Sequence, residues 1–130
     1  MESALCQIGV DSYGGWIQKK SRGRGLASLF GFFRPWSLRF ITVNTKIGIM
    51  SYYKNKQDVE AREAIGHVQL KDAVIGVKKK QLIVEVELRQ EGQNMRTGEE
   101  IARVGEVLVL RALNDEHLGE WISILTAVST

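Results

Sequence analysis

Cysteine occurs once in these 130 residues, at Cys6, and proline once, at Pro35. A single thiol rules out an internal disulfide and any zinc site built on cysteines. The two histidines, His67 and His117, have no serine, cysteine or acidic motif tied to them. Glu99-Glu100 and Asp115-Glu116 lack the spacing of metal ligands, so no catalytic constellation, metal or cofactor is expected. No apolar run approaches the length needed to span a bilayer, and the N-terminus lacks a signal-peptide core. With Glu2 in second place, the chain as given offers no N-myristoylation site. Together these absences turn the reading from enzymes toward a binding module.

Negative charge is also missing where it would matter. Between Asp11 and Asp58 there is no acid, while nine of the 18 Lys and Arg lie there. From Asp58 onward thirteen acids face nine bases. The net charge of +3 therefore hides a basic face, which points to an anionic partner. Within the window, Lys19, Lys20, Arg22, Arg24, Arg34 and Arg39 alternate with large apolar side chains. Leu29, Phe30, Phe32 and Phe33 form a glycine-flanked apolar cluster that a soluble loop normally avoids. Cations beside insertable apolar groups suit a lipid headgroup region, negative outside and oily beneath. Two readings of the cluster stay open: insertion into a bilayer, or a short helix covering the domain. Gly23-Arg24-Gly25 is only faintly like an RNA-binding repeat, so nucleic acid is not an expected partner.

Hydrophobic periodicity predicts a chain made mainly of strands. Residues 1–12 show no strong period and read as an N-terminal arm, with one domain over 13–130. Tyr13–Lys20 has strand character with Trp16 expected inward, and a long loop follows from Gly23 to Pro35. Trp36–Val43 is a second strand, with Trp36 and Phe40 expected in the core and Arg39 opposite Phe40. Ile47–Lys54, His67–Leu70, Ala73–Val77, the alternating run Leu82–Leu88 and Glu106–Ala112 complete seven strands. Residues 55–63 and 90–101 are polar connections, and Lys78, Lys79 and Lys80 form a basic turn. Asn114 then caps a helix whose first turn holds Asp115 and Glu116, as the dipole favours. Leu118, Trp121, Ile122 and Leu125 make its apolar stripe. The expected fold is a seven-stranded antiparallel barrel or sandwich, plugged at one end by this helix.

The sequence resembles a pleckstrin homology domain over about residues 14–128. Gly15-Trp16-Ile17-Gln18-Lys19 is similar to the family's opening strand, and Trp36-Ser37-Leu38-Arg39-Phe40 to its second. Met50-Ser51-Tyr52-Tyr53-Lys54 and Gly66-His67-Val68-Gln69-Leu70 resemble strands three and four. Leu110-Arg111-Ala112 and Trp121-Ile122 match the family's ending. The resemblance implies two antiparallel sheets closed at one corner by the C-terminal helix. It also implies a cytoplasmic, non-enzymatic module at the cytosolic face of a membrane.

Many family members hold phosphoinositide headgroups with a Lys on strand one and two basic residues on strand two. Lys19 and Arg39 fit two of these positions, and Ser37 stands where the third cation belongs. That departure argues against a stereospecific inositol phosphate pocket. Strand alternation puts the Lys78–Lys80 turn at the same end as the first loop. A groove between Lys20, Arg22, Arg24 and that turn would then recognise charge on phosphatidic acid, phosphatidylserine or phosphoinositides. Among single-domain members, the acylated proteins that sense phosphatidic acid are a further similar type. The competing expectation is a protein-interaction module that docks a peptide or small GTPase.

Overall fold

The computed structural model describes residues 3–20, 36–90 and 104–130. Eight antiparallel strands follow one another: β1 Cys6–Gln7, β2 Ser12–Lys20, β3 Trp36–Asn44, β4 Ile49–Tyr53, β5 Gly66–Gln69, β6 Val74–Lys78, β7 Ile83–Glu87 and β8 Val107–Arg111. A one-and-a-half-turn helix α1, Gln57–Ala61, lies between β4 and β5, and α2, Asp115–Ser129, ends the chain. The order across the sheet is β5-β4-β3-β2-β8-β7-β6, with β1 alongside β2. The two edge strands, β5 and β6, do not pair with each other, so the sheet curls but does not close. The expected antiparallel strands and terminal helix are all present. The added strand is β1, which sets Cys6 beside Gly14 and Gln7 beside Tyr13.

The curl encloses one main core. Ile17, Ile41, Val43, Met50, Val68, Val84, Val86, Leu88 and Leu110 face it from the strands. Helix α2 seals it with Leu118, Trp121 and Leu125, and Trp121 is fully buried. The Asn114 side chain accepts the His117 backbone N–H at 2.9 Å and so caps the helix as expected. Gly15 is dictated by close approach: a Cβ there would collide with the Ala4 carbonyl oxygen and press on the Trp121 ring. The arm crosses at that point, where the Ala4 N–H donates to the Glu120 carboxylate at 2.8 Å.

Side-chain parity on β2 is the reverse of the expectation for Trp16. Ile17 and Lys19 face the core, whereas Trp16 stands on the outer face and stays 43% exposed. It meets Phe40 edge-on, with ring centroids 5.3 Å apart. Phe40 is buried, but in a second cluster with Tyr53 and Ala64 on that outer face. Val59 of α1 packs over this cluster, so the β4–β5 connection provides its cover. Trp36 also lies on the outer face, half-buried rather than in the core. A strand carrying large apolar groups at consecutive positions leaves its parity undecided from sequence, because one step flips every side chain.

Candidate functional site

The basic face is built on the β2–β3 hairpin. Lys19 lies opposite Ser37, and Ile17 opposite Arg39, so Lys19, Ser37 and Arg39 share the inward face. They lie toward the hairpin end of that face, with Arg39 level with the core residue Ile17. Lys19 is only 7% exposed, and its ammonium lies 4.9 Å from the centre of the Tyr52 ring. That contact fixes the ammonium while its alkyl stem is covered. Arg39 is half-buried and donates from Nη1 to the neighbouring Leu38 carbonyl at 3.1 Å. No carboxylate lies within ion-pair distance of Arg39 among the described residues.

Direction along the strands decides what else gathers at this end. β3 pairs with both β2 and β4, and Phe40 lies opposite Trp16 on one side and Tyr53 on the other. β4 therefore runs the same way as β2, and the β4–β5 connection leaves the sheet at the hairpin end. It brings Lys54 and Lys56 there, the Lys56 ammonium 6.0 Å from the Phe40 ring centre. Neither was among the expected site residues, although Lys54 closes the Tyr52-Tyr53-Lys54 motif.

The lysine turn is placed elsewhere. β8 is antiparallel to β2, with Arg111 opposite Gln18, and Ile83 of β7 is opposite Arg111. β7 thus starts level with Gln18 and runs in the direction of β2. The single 3₁₀ turn over Lys79–Gln81 extends the other way, toward the level of Trp16. Alternation counted along the chain fails here because β5 and β6 are opposite edges of the sheet, not a hairpin. Lys78 is held in a cross-strand ion pair with Glu85 at 3.6 Å. Arg22, Arg24, Arg34 and the apolar positions Leu29, Phe30, Phe32 and Phe33 lie outside the described residues.

Lys20 faces outward. Its ammonium lies 5.8 Å from the Trp36 ring centre, and the Arg111 guanidinium lies 4.3 Å from the same ring. Arg111 also donates from Nε to Gln18 Oε1 at 2.7 Å. Arg111 was not among the expected site residues; its signal was an arginine between the alternating apolar positions Leu110 and Ala112.

No protein-family model matches this sequence, nor does any curated protein sequence. Solved structures do match. The C-terminal pleckstrin homology domain of pleckstrin, in complex with D-myo-Ins(1,2,3,5,6)P5, superposes with a TM-score of 0.64 at 14% identity, over 100% of each chain. The pleckstrin homology domain of human oxysterol binding protein-related protein 11 gives 0.61 at 20% identity, over 94% of this chain and 82% of that one. The Slm1 domain in complex with inositol-4-phosphate gives 0.64 at 13% identity, over 90% and 94%. At such identities the likeness concerns architecture alone, an antiparallel sheet followed by one C-terminal helix. The chain has the fold of a pleckstrin homology domain.

Proposed function

We propose that this chain is a non-enzymatic module that binds anionic phospholipid headgroups at a membrane surface. The observation that carries the reading is the inward-facing pair Lys19 and Arg39, at the hairpin end of the sheet. Arg39 has no acidic partner among the described residues, so its charge is available to a phosphate. Pleckstrin and Slm1 domains of the same fold have been solved with inositol phosphates, which supports a phosphate-bearing headgroup as ligand. Ser37 beside Lys19 supplies a hydroxyl where a third cation would tighten the grip. A site of this kind selects for charge more than ring stereochemistry, which suits phosphatidic acid as well as phosphoinositides.

Lys20, Lys54 and Lys56, together with Arg22, Arg24 and Arg34 between β2 and β3 in the sequence, add attraction toward a negative surface. Each such cation contributes about 1 kcal/mol near an anionic bilayer. Lys78, Lys79 and Lys80 act at longer range from the side of the sheet. Leu29, Phe30, Phe32 and Phe33 would then enter the interface as the apolar anchor. The module would sit as a peripheral protein on a cytosolic membrane face. Among the described residues no helix is long and apolar enough to cross a membrane.

Vesicle cosedimentation at low and high salt, with anionic and neutral lipids, tests the reading. Binding to anionic vesicles should fall steeply with salt, as screening shortens to about 3 Å near molar salt. Equal binding to neutral vesicles would remove its basis.

A further inference from the structure

The opposite face of the same hairpin carries a second, differently made site. Leu38, Gln18 and Arg111 lie in one row across β3, β2 and β8. A groove of about 520 Å³ runs beside them, bordered by Trp16, Leu82 and Leu113. Leu38 is 54% exposed and Leu113 is 78% exposed, large apolar groups left in water along the groove. No Asp or Glu lines the groove among the described residues. Of the Arg111 donors, only Nε has a hydrogen-bond partner there, and the stack on Trp36 holds the guanidinium plane in place. The terminal nitrogens form a fork with no hydrogen-bond partner and no carboxylate opposite them among the described residues.

We propose that this groove docks a segment of a partner protein that presents a large apolar side chain beside a carboxylate. An apolar trough with one guanidinium, its terminal nitrogens without a partner among the described residues, matches one aliphatic or aromatic anchor and one carboxylate, whose oxygens accept two parallel N–H···O hydrogen bonds from it. A polyphosphorylated headgroup would ask for several cations and would leave Trp16, Leu38 and Leu113 without a counterpart. The site does not depend on lipid binding at Lys19 and Arg39, because it faces the other way. Both could be filled together, making the module a reader of a membrane and a protein at once.

N-acetyltryptophan supplies the anchor and carboxylate in one molecule, and N-acetyltryptophanamide is its uncharged control. Titrated into the isotope-labelled chain, the acid should shift the backbone amides of Gln18, Leu38, Arg111 and Leu113 saturably. The amide should bind about tenfold more weakly or worse, as expected when a charge-assisted hydrogen bond is lost. Arg111→Gln, its folding confirmed from its own spectrum, should reduce the acid to the level of the amide. Leu38→Glu should weaken both probes and so report the apolar rim. Equal binding of the two probes, an Arg111→Gln variant that binds the acid normally, or no shift at these four amides would overturn the proposal. So would displacement of the acid by anionic vesicles in an Arg39→Ala background, which would make a headgroup the groove's occupant.

Discussion

Lys19 and Arg39 are diagonal neighbours on the inward face of the β2–β3 hairpin, one opposite Ser37 and the other opposite Ile17. The diagonal sets their Cβ atoms within roughly 7–8 Å, a span that one phosphate group and two long side chains can bridge. The Tyr52 ring under the Lys19 ammonium keeps that cation from swinging away. Preorganisation of this kind lowers the ordering cost of binding.

The parity of β2 underlies the placement of Lys19, and it is testable by stability. Ile17 is 2% exposed in the main core, so Ile17→Ala should cost about 2–5 kcal/mol. Trp16→Ala removes an outer-face ring that is 43% exposed and should cost less than Ile17→Ala, its edge-on contact with Phe40 adding about 0.5–1.5 kcal/mol beyond the area lost. Urea denaturation of both variants checks this. A larger loss for Trp16→Ala would mean that the strand faces the other way.

Much of this fold was legible in the sequence. Alternation in Leu82–Leu88 and the stripe Leu118, Trp121, Leu125 follow directly from period 2 and period 3.6, and the core uses both. Size alone argues for turning Trp16 and Trp36 inward, yet the hairpin has two apolar faces. Only the cover that Val59 and Ala64 lend to Phe40 and Tyr53 makes the outer face a place for aromatics. Alternation misplaces the lysine turn for a different reason. Its end of the sheet depends on whether β5 and β6 pair, which is a non-local fact. Arg111 shows its use only when β8 settles beside β2 and sets it against Gln18 and Trp36.

His67 makes stability depend on pH. Burial holds its imidazole below the usual value of 6.5, and Nδ1 is paired with the Ser51 hydroxyl. Between the folded and unfolded pKa values the unfolded chain binds more protons, so folding weakens as pH drops below about 6.5. The loss levels off once the folded imidazole also protonates. Thermal melts between neutral and mildly acidic pH should show this fall, and His67→Gln should flatten it. A His67 resonance titrating above 6.5 would reverse the sign and contradict the account.

The apolar positions Leu29, Phe30, Phe32 and Phe33 are expected to serve the membrane rather than the fold. Phe32→Ser combined with Phe33→Ser should leave the melting temperature nearly unchanged while vesicle binding drops and becomes more salt-sensitive. Transferring a Phe from water to an apolar phase yields about 1.5–3 kcal/mol, so two partial insertions would be readily seen. Should these rings instead cover the sheet, the pair would lower stability by about 3–5 kcal/mol each. A marked fall in melting temperature with vesicle binding intact would exclude insertion.

The central claim is that the inward face of the hairpin, not the lysine turn, holds the headgroup. Cosedimentation with phosphatidylserine-containing vesicles at low salt compares Arg39→Ala directly with the double variant Lys79→Ala, Lys80→Ala. Both positions are accessible enough that the folded spectrum should survive each change. Arg39→Ala should lower affinity about tenfold or more, the loss of a charge-assisted hydrogen bond to phosphate. The lysine-turn variant should lose only the roughly 1 kcal/mol per cation of surface attraction, and less as salt rises. Unchanged binding by Arg39→Ala, with binding abolished in the lysine-turn variant, would contradict the account.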